Sequence, residues 1–167
     1  MRQIKSVFIN GSFTEPTGTE TAEIVSPLDG RVIAQLTYAD EIDTLRSIAA
    51  ASAALVSYSQ SSVIERANYL QCIHDEIVKR IDDLIDTTIV EYGAPGERAK
   101  WSNLIAATTF LNQISVMKNY PFERTVNESK VVMEPIGVAA LFTPWNAAAG
   151  SIAVKWRPRW LRVVQWC

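Results

Sequence analysis

The chain has 167 residues, of which 48% are hydrophobic and 20% charged, and its formal net charge is −2. This composition suits one soluble globular domain long enough to bury a core, and it excludes a disulfide framework or metal centre built on the two cysteines, whose spacing fits neither. No stretch reads as a signal peptide or a bilayer-spanning run, so a cytoplasmic chain is expected, with neither membrane nor nucleic acid as partner.

Residues 6–13 carry Val7-Phe8-Ile9 and then Asn10-Gly11, a pair that favours a type I′ turn because both residues tolerate positive φ. Two short strands are predicted there. Residues 22–25 and 32–36 flank Ser26-Pro27-Leu28-Asp29-Gly30, where proline presets φ and glycine closes the turn, so a second hairpin-like pair follows. From 40 to about 57, Ile42, Leu45, Ile48, Ala49, Ser52 and Val56 follow helical spacing, with Asp40 and Glu41 placed to favour the helix dipole. Ser62 and Glu65 form a capping box for a helix with Ala67, Leu70, Ile73, Ile77 and Val78 on one face. On this helix Cys72 is expected to be an inert, partly buried thiol, and His74 a solvated or satisfied surface histidine.

A third helix is predicted from near Asp82 to Tyr92, ended by Gly93 in a left-handed conformation, with Pro95 preventing resumption. A fourth, over roughly 96–118, is expected to pack Trp101, Leu104, Ile105, Phe110, Leu111 and Ile114. After a turn at Asn119-Tyr120-Pro121, residues 129–134 alternate weakly as a strand, and Pro135-Ile136-Gly137 bends the chain into 138–142. That apolar run of small and β-branched residues, breaking at Thr143-Pro144 before Trp145 and Asn146, fits a buried parallel strand reaching its C-terminal edge. Ligands bind at such edges in α/β proteins. On its own, Asn146 also suits a helix N-cap ahead of Ala147-Ala148-Ala149, and Trp145 and Trp101 suit core or wall positions.

The segments Phe8-Ile9-Asn10-Gly11, Ser26-Pro27-Leu28-Asp29-Gly30, Glu91-Tyr92-Gly93-Ala94-Pro95, Glu134-Pro135-Ile136-Gly137-Val138 and Thr143-Pro144-Trp145-Asn146 stand in one order around a single helix block. Between about residues 7 and 155 this pattern resembles the N-terminus of the NAD(P)-dependent aldehyde dehydrogenase superfamily. The resemblance implies an α/β fold: the N-terminal part of a Rossmann-like cofactor-binding domain (two β-hairpins, a helix block, strands), incomplete, over residues 1–155. Residues 123–136 would belong to the strand element through which family subunits associate. It also implies an oxidoreductase that converts an aldehyde to a carboxylate with NAD or NADP, Asn146 donating its amide N–H to the oxyanion. Phe142, Thr143, Pro144 and Trp145 would line the cofactor cleft, and Lys155 matches a lysine on the following helix. No metal is implied. The family's catalytic cysteine and water-activating glutamate have no counterpart here, so the chain alone is expected to be inactive. A homo-oligomer, or association with an intact homologue, is the expected assembly, and a non-catalytic interaction module is the alternative.

Residues 156–167 need a separate account. All 18 acidic residues lie at or before Glu134, whereas Lys155, Arg157, Arg159 and Arg162 close the chain beside Trp156, Trp160 and Trp166. Family members continue with Leu-Ala-Pro-Ala-Leu-Ala-Ala-Gly. With permitted codons, the string from Trp156 to Cys167 rereads as Leu-Ala-Pro-Ala-Leu-Ala-Ala-Gly-Cys-Ala-Val-Val once a single base is restored in front of it. A one-base loss after the Lys155 codon is therefore the hypothesis for this tail, and gene sequencing tests it: codons that cannot be reread this way would end it. A basic aromatic tail that binds a membrane surface or nucleic acid is the competing reading.

Overall fold

The computed structural model describes residues 1–135 and 137–156. The expected tail, apart from Trp156, and with it Cys167, lies outside the described residues.

Three strands open the chain: β1 (Arg2–Ile4), β2 (Val7–Ile9) and β3 (Ser12–Thr14). The expected hairpin is β2–β3, antiparallel, with Phe8 opposite Phe13 and both turn residues at positive φ, Asn10 at 51° and Gly11 at 79°. The second expected pair is β4 (Thr21–Val25) with β5 (Val32–Thr37), and β1, unforeseen in the sequence, adds to β5 in parallel to give the sheet order β1-β5-β4. Gly30, at φ 72°, closes the intervening turn.

Four helices follow: α1 (Glu41–Tyr58), α2 (Val63–Lys79), α3 (Ile81–Tyr92) and α4 (Gly96–Asn119). The α2 capping box forms as expected: the Ser62 hydroxyl accepts the Glu65 N–H at 3.2 Å, and the Glu65 carboxylate accepts the Ser62 N–H at 2.7 Å. α1 has a capping box of its own, between Asp40 and Asp43, which reaches further than a local cap. The Asp43 carboxylate also accepts the Thr17 N–H at 2.8 Å and the Gly18 N–H at 3.4 Å, pinning the β3–β4 connection onto the start of α1. Burial raises the Asp43 carboxyl, but the N–H donors of Thr17, Asp40 and Gly18 outweigh it, and the group titrates below the ordinary carboxylate range. Gly18 is required at this crossing, because a Cβ there would stand 2.2 Å from the carbonyl oxygen of Tyr38. Gly93 ends α3 at φ 73°, as expected, against the ring of Pro27.

The core lies where α2, α4 and the last helix, α5 (Ala148–Trp156), meet: Leu70, Ala106, Phe110, Met117 and Ala153 are buried there, with Ile73, Ile77, Ala149 and Trp156 packed around them. The inward stripe of α4 is Ala99, Asn103, Ala106, Ala107, Phe110, Gln113 and Met117. Trp101 and Leu104, expected inside, are exposed. Ala99, Ala106 and Ala107 let α2, α3 and α5 approach this face, and the Trp101 ring instead stacks under the Arg98 guanidinium at 4.9 Å. Likewise Val78 and Cys72 on α2 are exposed rather than packed.

Between α4 and α5 lie β6 (Glu123–Val126) and β7 (Ser129–Val132), an exposed hairpin where the sequence suggested only a strand over 129–134. The strand expected over 138–142 is not formed: apart from a bridge at Ala139, residues 137–144 have no regular structure. A strand is defined by its ladder, and among the described residues no parallel neighbour lies beside this run to take its N–H and C=O groups.

Candidate active site

α5 brings the polar residues after this run back onto the helix block. Its inward residues are Ala149, Ala153 and Trp156, spaced four and three apart, and the Trp156 ring meets Phe110 edge-on at 5.8 Å. Gly150 faces α4, where a Cβ would stand 3.7 Å from the Ser102 carbonyl oxygen. Just ahead of α5, Trp145–Ala147 form a 3-10 turn with Pro144 at the N-cap and no side-chain capping bond. Asn146 thus lies inside the 3-10 turn and not at its N-cap, the position that was the plainer expectation for an asparagine in this sequence.

Asn146 lines a cavity of about 320 Å³ between α3, α4 and the start of α5. Thr87, Glu91 and Tyr92 enter it from α3, Arg98, Ser102 and Asn103 from α4, and Trp145 beside Asn146. The Trp145 ring, 82% exposed, meets Tyr92 edge-on at 5.5 Å. Asn103, fully buried, ties the walls together: its amide donates to the Thr88 hydroxyl at 3.0 Å and to the Ala99 carbonyl at 2.9 Å, while Thr88 donates to the Leu84 carbonyl at 2.7 Å. A second cavity of about 400 Å³ lies across the α4–α5 contact, bordered by Arg98, Trp101, Ile105, Pro144, Val154 and Lys155. Arg98, Ser102 and Gly150 border both. Phe142 and Thr143 are exposed, and the Lys155 ammonium donates to the Phe142 carbonyl, closing the irregular run onto α5.

The Aldehyde dehydrogenase family model matches residues 13–161. The chain belongs to the aldehyde dehydrogenase family. A protein of Staphylococcus aureus (strain bovine RF122 / ET3-1), whose name places it among the aldehyde dehydrogenases, is 31% identical over 158 residues, which are 93% of this chain and 33% of that one. The crystal structure of a mutant aldehyde dehydrogenase C from Pseudomonas syringae, complexed with NAD+ and octanal, is 28% identical with a TM-score of 0.92, covering 98% of this chain and 34% of that one. An aldehyde dehydrogenase from Bartonella henselae, 24% identical, shares the fold at a TM-score of 0.94 over 99% of this chain and 36% of its own. This chain thus spans about a third of the length of the relatives it matches. The fold is the N-terminal part of the family's Rossmann-like domain, α/β in class and incomplete.

In this aldehyde dehydrogenase segment, Trp145 and Asn146 share one cavity, Pro144 and Lys155 the other, and Phe142 is linked to Lys155 through its carbonyl. Sequence reasoning missed Asn103, Glu91 and Tyr92. Asn103 was readable in principle, as a lone amide on the small-residue stripe of α4, but a reading that ranks residues by hydrophobicity passes over it. His74 is satisfied, as expected, by Asp75 at 2.8 Å, and that bond holds the Asp75 carboxyl below its ordinary range. Cys72 opens onto a different, apolar cavity bordered by Ile73, Ile77, Leu84 and Trp156, and no described cysteine lines the Asn146 cavity.

Proposed function

We propose that this chain supplies the oxyanion-binding amide and one wall of the cofactor cleft of an NAD(P)-dependent aldehyde dehydrogenase, which oxidises an aldehyde to a carboxylate. The observation that carries the reading is Asn146, exposed within the 3-10 turn and lining a cavity large enough for a small aldehyde. When a thiolate adds to an aldehyde carbonyl, the oxygen gathers negative charge, and an amide N–H already aimed at that oxygen stabilises the transition state more than the ground state. The superposable Pseudomonas syringae structure, which holds NAD+ and octanal, supports aldehyde and dinucleotide as the ligand classes.

The residues present fit one edge of a dinucleotide. Phe142, Thr143 and Pro144 are exposed, and the Lys155 ammonium places a positive charge beside them, suited to an anionic cofactor. They would hold the cofactor through that charge and through backbone groups. Bound there, the cofactor would supply the hydride acceptor. The nucleophile must come from outside this chain's described surface, because Cys72 lies in another cavity. The exposed β6–β7 hairpin is proposed to take part in subunit association, its open edges being free to pair.

A chimera tests this reading. Residues 13–155 would replace the matched third of the Pseudomonas syringae enzyme, and NADH formation from octanal would be followed. Asn146→Ala is expected to lower kcat by roughly 100- to 1,000-fold, the usual cost of losing one oxyanion donor. An active chimera indifferent to Asn146→Ala would overturn the assignment. The 167-residue chain alone is expected to form no NAD(P)H from aldehydes.

A further inference from the structure

Arg98 stands on the boundary between the Asn146 cavity and the cavity across the α4–α5 contact. The two spaces differ in character. The first holds Asn146 and the Glu91 carboxylate. The second has apolar walls from Trp101, Ile105 and Val154, the two cations Arg98 and Lys155, and no acidic residue in its described lining. Other arginines of the helix block are engaged: Arg46 pairs with Asp43 at 3.2 Å, Arg80 with Glu76 at 4.0 Å, and Arg66 donates to the Ser61 carbonyl at 2.8 Å. Among the described residues Arg98 has an aromatic partner instead, the Trp101 ring, whose centroid lies 4.9 Å from the guanidinium carbon. A ring contact engages the face of a guanidinium, whereas its N–H groups point outward in the plane.

We propose that Arg98 sets the substrate class, an aldehyde whose alkyl chain ends in a carboxylate. The formyl group occupies the Asn146 cavity and the carboxylate meets Arg98 at the second. A guanidinium fork matches a carboxylate through two parallel N–H···O bonds. Glu91 repels an anion from the first cavity, so the two charges together orient the chain in one direction. Apolar walls suit the methylenes between the two ends. Because Arg98 is exposed, water limits the gain from the pair to roughly five- to tenfold in affinity. The inference deepens the proposed function and rests on the Asn146 cavity as the place of the aldehyde.

The chimera is assayed with hexanal and octanal, and with the same two aldehydes carrying a terminal carboxylate in place of the methyl group. The ratio of kcat/KM values, carboxylate-ended over methyl-ended, is expected to fall roughly five- to tenfold in Arg98→Gln, through KM. Arg98→Lys, which keeps the charge but not the fork, should recover part of it. Lys100→Gln makes the same change in net charge, borders neither cavity, and should leave the ratio unmoved. Titration calorimetry on the 167-residue chain should give the same order of affinities, with the preference for the carboxylate lost in Arg98→Gln, so a chimera without turnover still decides the matter. The proposal is overturned by a ratio indifferent to Arg98→Gln at both chain lengths. It is equally overturned if Arg98→Gln raises KM for NAD+ and leaves the ratio unchanged, the result of a cofactor phosphate at Arg98. Asn146→Ala should lower kcat for both classes of aldehyde alike and preserve the ratio. A ratio that depends on Arg98 while Asn146→Ala is silent would keep the substrate class and remove only the donor role of Asn146.

Discussion

Single residues here act over two ranges, and only the short one can be read from sequence. Ser62 caps α2 through Glu65, three residues away, and Asn10-Gly11 turns within itself, so both were visible as local patterns. Ser62→Ala should cost about 1 kcal/mol in urea unfolding, the typical worth of such a cap. Gly18 and Asp43 meet across 25 residues, and nothing nearby announces the contact. Gly18→Ala should destabilise by roughly 1–3 kcal/mol, because the new methyl collides with backbone rather than with a yielding side chain. The lowered Asp43 carboxyl gives stability that is present above the ordinary carboxylate range, near pH 4, and lost as pH falls through its folded value. Melting temperature followed from pH 6 down to pH 2 should therefore fall, and fall less in Asp43→Asn, which starts lower.

At the scale of elements, helix limits were legible because caps and Gly93 mark them, whereas helix faces were not. Hydrophobicity alone puts Trp101 and Leu104 of α4 inside, but contact with three neighbouring helices turns a face that includes Ala99, Ala106 and Ala107 inward instead. The run over 138–142 shows the complementary error. Its composition is that of a buried strand, and a strand still needs a partner to pair with. The position of Asn146 consequently depends on how α5 docks. Phe110→Ala removes the ring that meets Trp156 and should cost about 3–5 kcal/mol. In the chimera it should also disturb kcat, although Phe110 borders neither cavity described above; unchanged kcat with lowered stability would show that α5 is held some other way.

For the molecule as a whole, order along the sequence was informative: five short motifs around one helix block indicated the family and the incomplete α/β domain, and the comparisons bear both out. Where the surfaces lie was not legible, because α1 carries a regular apolar stripe whichever way it faces. Among the described residues no helix is long and apolar enough to cross a membrane. Replacing Leu45 and Ile48 by lysine should raise the concentration at which the isolated chain stays clear, measured by turbidity.

The seating of α5 on Ala106 and Phe110 by Ala149, Ala153 and Trp156 has a thermal consequence. The turn bearing Asn146 is held in place chiefly by apolar contact and not by a strand ladder, and such contact weakens on cooling while helix hydrogen bonds do not. The Asn146 amide should thus lose its register in the cold before the helices melt. Near 0 °C, exchange of the amides at 145–150 should quicken relative to those of α4, making cold, rather than heat, the condition that first loosens the candidate site.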